Sequence, residues 1–187
     1  MLLRTYLNIC LLRANPQDLP ASRNVLAVSL FAYLSANLVT FNDTVSLPRA
    51  LAASVADTLL LVGLACGALL IRGLLQRRWQ VLAALAGCGA FISVVAWLTT
   101  SAALKFVAPE FSTAEPSLMR ELTPGQTQIV LVVSLLCIAW FILVLGHIFR
   151  EALNVPMAGG VALAMLYTFA STGIGAAFIG GVPQSNG

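Results

Sequence analysis

Polar positions are sparse along this chain, and they fall in clusters that separate five long apolar stretches, near residues 22–42, 49–74, 79–104, 126–149 and 157–182. At 1.5 Å of rise per residue, about 20 apolar residues cross a hydrocarbon core of ~30 Å, so the pattern predicts five transmembrane helices. Several ends carry helix-start chemistry. Thr123, Pro124 and Gln126 supply the N-cap, first-turn proline and reciprocal side chain of a capping box, and Asn154 followed by Pro156 opens the last span. Ahead of the first stretch, Leu3, Tyr6, Leu7 and Cys10 recur at helical spacing while Arg4 and Asn8 fall on another face. That pattern predicts a short helix within residues 1–18 lying in the membrane interface. The same segment lacks an uninterrupted apolar run with a small-residue cleavage site, so a removed signal peptide is not expected.

Composition strengthens the membrane reading. The 187 residues are 59% hydrophobic and 9% charged, with a mean hydropathy of +0.93; soluble domains carry roughly 25% charged residues. Once five spans are subtracted, no segment remains long enough for a separate water-soluble core. The expected fold is therefore all-α, a polytopic bundle of five transmembrane helices in one domain, residues 1–187, with the bilayer as its first partner. A net charge of +3, spread over loops, gives no footprint for nucleic acid.

The distribution of cations orients the bundle. With the N-terminus cytoplasmic, Arg4, Arg13, Arg23, Arg72, Arg77, Arg78 and Arg150 lie inside, whereas Arg49, Lys105 and Arg120 lie outside, as the positive-inside rule requires. Five spans then leave the C-terminus outside. The preponderance of Arg over Lys, with abundant Ala and Leu, suggests a GC-rich bacterial genome and thus the cytoplasmic (inner) membrane.

Little in the chain carries reactive chemistry. Cys10, Cys66, Cys88 and Cys137 show no metal-ligand spacing and read as small core residues. Glu110, Glu115 and Glu121, on the loop from Val107 to Thr123, lack the paired spacing or histidine of a metal site. Asn42-Asp43-Thr44 matches a glycosylation acceptor but hugs the membrane, and it is given no weight. His147 and Glu151, one helical turn apart, read as a solvated helix end. No cofactor, metal or catalytic residue is expected, and an enzyme acting on lipids would need more interfacial reactive groups than this pair.

Asp57 stands out. It lies about eight residues into the second stretch, ~12 Å from its end and close to the midplane, where an ionisable group is costly and functional by default. Tyr167, Thr168 and Ser171 of the fifth span arrive at its depth, with Ser35 or Asn37 of the first span and Ser93 of the third within range. No Lys, Arg or His does. Two readings follow: a neutral carboxyl pinning the second span to the fifth by hydrogen bonds, or a proton or cation site.

Small residues supply a packing code. Gly160, Ala164, Thr168, Ser171 and Gly175 form one stripe in the fifth span; Gly63 and Gly67 are four apart in the second; Ala83, Gly87 and Ala90 share a face of the third. These are expected to pack helices within the chain, although the same chemistry would dock another subunit. Together they favour a non-enzymatic accessory or scaffold subunit that packs against a partner membrane protein or a second copy. The alternative is a small oligomeric proton- or cation-coupled transporter or channel using Asp57.

The lead-in Leu11-Leu12-Arg13-Ala14-Asn15-Pro16, followed by five spans from a cytoplasmic N-terminus, resembles the layout of bacterial Yip-family membrane proteins. The resemblance is one of topology along the whole chain. It implies a membrane-organising role without catalysis and transfers no site residues. The long polar N-terminal region common in eukaryotic members is missing here.

Overall fold

The computed structural model describes residues 2–43, 45–107 and 124–180. Glu110, Glu115, Glu121 and the C-terminal tail fall outside the described residues, as does Thr44 of the Asn-Asp-Thr motif. Six helices account for the described fold: α1 (Leu2–Cys10), α2 (Arg23–Asn42), α3 (Leu47–Ile71), α4 (Arg78–Val107), α5 (Pro124–Leu153) and α6 (Met157–Gly180). The last five are each long and apolar enough to cross a membrane.

Local chemistry sets where they stop. Ser46 and a proline in the first turn start α3, and Gly73, at a φ of 67°, turns the chain toward α4, a backbone region that glycine enters without steric cost. At the end of α5 the structure revises one expectation. Asn154 closes that helix, at a φ of 52°, instead of opening the next one; asparagine tolerates the left-handed conformation, and Pro156 then prevents α5 from continuing.

Along the bundle, α4 is the central element. It packs against α2 on one side and α5 on the other, with α3 and α6 completing the set. Its first half is buried on every side, from Val81 through Ala86, and it faces Val144, Leu145, Ile148 and Phe149 of α5, which are equally buried. Where this end of α2 meets α4, the guanidinium carbons of Arg23 and Arg78 both lie over the Trp79 ring, 5.4 and 4.7 Å from its centre. Such contacts contribute about 0.5–1 kcal/mol at exposed sites.

The N-terminal helix forms as the spacing predicts, but protein covers part of it. Ile9 and Cys10 are fully buried, while Leu3 is 69% exposed. Tyr6 lies directly over Gly87, where a side chain on α4 would occupy the space of its ring. Its hydroxyl shares a hydrogen bond of 2.7 Å with Ser29 of α2, and burial pushes the phenol above its ordinary value. The Cys10 carbonyl, left without an intrahelical donor at the helix end, accepts from the Trp140 indole at 3.1 Å. Further along, the His147 ring lies 3.3 Å from the Ala14 carbonyl, and the Gln80 amide donates to the Gln17 and Leu19 carbonyls at 3.1 and 2.8 Å. Thus His147 holds the N-terminal segment, and Glu151 lies nearer Arg150, at 3.6 Å.

Candidate functional site: a carboxyl clasp between three helices

Asp57 is 2% exposed and sits on α3 between α2 and α6. Four side chains from those two helices donate to it. From α2, Tyr33 and Asn37 reach Oδ2 at 2.7 and 2.8 Å. From α6, Ser171 reaches Oδ1 at 2.5 Å, and the Tyr167 hydroxyl lies 3.0 Å from both carboxyl oxygens. The hydroxyls of Tyr33 and Tyr167 are also hydrogen-bonded to each other.

Each helix presents its two donors one turn apart, a tyrosine followed four residues later by a smaller polar side chain. Residues at i and i+4 lie on one face, so α2 and α6 each offer a two-pronged grip. Room for the tyrosines comes from small neighbours: the Tyr33 ring occupies the space beside Gly89 of α4, and the Tyr167 ring meets Phe141 at a centroid distance of 6.2 Å.

Proton counting describes what this arrangement can do. Asp57 Oδ2 and the two phenolic oxygens form a triangle with three contacts, while the two phenols bring one proton each. A third proton is needed for every side of the triangle to carry a hydrogen bond.

The structure thus joins Asp57 to Tyr167 and Ser171, as their common depth suggested, takes Asn37 of the two candidates from the first span, and adds Tyr33. Thr168 does not take part; its hydroxyl turns back to the Ala164 carbonyl at 2.8 Å. The pairing signal for Tyr33 was present in the sequence, since Tyr33 and Asn37 have the same four-residue spacing as Tyr167 and Ser171.

The small residues divide into two groups. Ala83 and Ala164 are fully buried, Gly87 receives Tyr6, Gly160 abuts the Gly146 carbonyl and the backbone of Arg150, and Gly175 faces Phe41. Gly63 and Gly67 behave differently. Nothing lies within 4 Å of where a side chain would begin at either glycine, so the packing within the chain expected of them is not made.

No known protein family, curated protein sequence or solved structure matches the chain.

Proposed function

We propose that this protein is a non-enzymatic membrane subunit that docks a further transmembrane helix, from another membrane protein or a second copy, on the outward face of α3. The observation that carries this reading is the open notch at Gly63 and Gly67. Exposed leucines need no explanation in a bilayer, because lipid tails are as apolar as they are; a glycine pair spaced to let two backbones approach does. Ala52 and Leu59 are exposed on the same face, and Cys66 is half-buried beside the notch. The clasp supports the non-catalytic part of the reading, since both oxygens of Asp57 are spent on neighbouring donors. In this reading Asp57 is a neutral carboxyl that locks α3 against α2 and α6 and so holds the notch outward.

A bacterial inner-membrane location with a cytoplasmic N-terminus, and a place among the Yip-family proteins, belong to the same proposal. The test combines mild-detergent purification with bismaleimide cross-linking at Cys66 in native membranes. The wild-type chain should co-elute and cross-link with its partner or a second copy. Gly63→Leu with Gly67→Leu should abolish both without lowering the temperature of thermal unfolding. Elution as a lone monomer with no Cys66 cross-link would overturn the proposal.

A further inference from the structure

At the end of the bundle where α3 and α5 stop, a cavity of about 390 Å³ lies between the α3–α4 turn and the α5–α6 junction. It is lined by Ile71, Arg72, Leu74, Arg77, Leu153 and Asn154. Its two arginines differ from the others nearby. Arg78 lies over Trp79 and donates to the Leu75 carbonyl at 3.4 Å, and Arg150 lies 3.6 Å from Glu151. Arg72 and Arg77 have no acceptor or carboxylate partner among the described residues, and no acidic residue is among those that line the cavity.

Helix capping does not account for these two side chains, because backbone donors already serve the helix ends. The Ala68, Leu69 and Leu70 carbonyls of α3 accept from the N–H groups of Arg72, Leu74 and Gly73 at 3.3, 2.8 and 3.0 Å, and the Arg150 carbonyl of α5 accepts from Val155 at 3.2 Å. Charge arithmetic then sets what the cavity takes. The C-terminal end of a helix carries roughly half a negative charge, so the ends of α3 and α5 together offset about one of the two guanidiniums. The cavity is left roughly one positive charge in excess.

We propose that this cavity binds the phosphodiester headgroup of a singly charged anionic phospholipid. The guanidiniums of Arg72 and Arg77 donate to the phosphate oxygens, the charge-assisted pairing for which the planar fork of arginine is suited, and basic pockets between helix ends are the general form of such sites. A zwitterionic headgroup would bring its own cation beside two guanidiniums with no carboxylate to receive it. The rest of the lining separates a lipid from a free phosphate ion. Leu74, Leu153 and Ile71, the last of them 86% exposed, supply apolar surface at the same place, against which the glycerol and acyl chains lie. The proposal goes beyond the docking face of α3 and does not rest on it, since the notch at Gly63 and Gly67 includes neither arginine.

The full chain is reconstituted in phosphatidylcholine nanodiscs with and without phosphatidylglycerol, and thermal unfolding is followed together with lipid retention by native mass spectrometry. Phosphatidylglycerol should raise Tm and be retained at least tenfold in preference to phosphatidylcholine. Arg72→Gln with Arg77→Gln should abolish the rise and cut retention at least tenfold, the ordinary worth of lost charged hydrogen bonds, with Tm in phosphatidylcholine alone unchanged. Arg4→Gln with Arg13→Gln removes the same charge from exposed positions outside the cavity and should leave both readouts as in the wild type. Equal retention of the two lipids, or an equal loss in the Arg4 and Arg13 control, would overturn the proposal in favour of diffuse attraction. A lower Tm of the Arg72 and Arg77 variant in phosphatidylcholine would overturn it by giving the arginines a structural role. Inorganic phosphate that raises Tm in phosphatidylcholine nanodiscs as much as phosphatidylglycerol does would also overturn it, because the site would then belong to a free anion.

Discussion

Removing the carboxyl group of Asp57 strands hydrogen-bond donors on two other helices at once. In Asp57→Ala, Tyr33, Asn37, Tyr167 and Ser171 lose their shared acceptor. A buried orphan costs about 1–3 kcal/mol, so the variant should lose roughly 3 kcal/mol or more. Asp57→Asn keeps one acceptor oxygen and the same shape, and should lose no more than about half as much. Denaturant titration in micelles measures both, and equal losses would contradict a hydrogen-bonded clasp. Part of this cluster was legible in the sequence. Tyr167 and Ser171 follow from counting residues along two antiparallel spans. The failure of Thr168 has a local cause, because a threonine in a helix can satisfy itself on the carbonyl one turn back. Tyr33 was harder to place, since α2 is apolar around most of its circumference and depth alone does not say which face meets α3.

Among the elements, the two kinds of glycine make opposite predictions. Gly160→Ala forces a methyl group into the backbone of α5, at Gly146 and Arg150, neither of which can swing aside. It should destabilise the α5–α6 contact by about 1–3 kcal/mol, the usual cost of overpacking. Gly63→Ala meets open space and should stabilise the isolated chain by about 0.5–1 kcal/mol through helix propensity. Thermal unfolding of both variants in the same detergent tests the pair of signs. Helix existence and order were readable from hydropathy, and α2 and α6 begin within a residue of expectation. The α5–α6 junction was misread because Asn154 serves equally well as a helix opener and as a left-handed closer, and spacing does not distinguish the two. Whether a small-residue stripe faces inward was likewise unreadable, as Gly63 and Gly87 are the same residue in similar surroundings until their neighbours are placed.

At the scale of the whole molecule, packing is uneven along the bundle axis. The half that contains Val81–Ala86 of α4 and Val144–Phe149 of α5 holds most of the core, whereas Ile129, Leu131, Val132, Leu135 and Leu136 toward the other end of α5 are exposed to lipid or solvent. Local opening free energies follow buried contact density. Hydrogen exchange in nanodiscs should therefore be slowest at residues 81–90 and 144–153 and faster at residues 128–138; equal protection at both ends would count against this distribution. The sequence could not show the asymmetry, because apolar residues are nearly as frequent in both halves.

The attachment of α1 also imposes an order in time. The Cys10 carbonyl accepts a hydrogen bond from Trp140, 130 residues further on, and the Ala14 carbonyl is hydrogen-bonded to His147, 133 residues further on. At about 5–20 residues per second of synthesis, those partners leave the ribosome on the order of ten seconds after α1 does. During that interval α1 has α2 and α4 to pack on through Tyr6, but the Cys10 and Ala14 carbonyls lack their partners on α5, and the membrane surface is the available substitute for that side. The earliest helix of the chain is thus among the last to reach its final place, and any step that delays insertion of α5 prolongs its stay on the lipid.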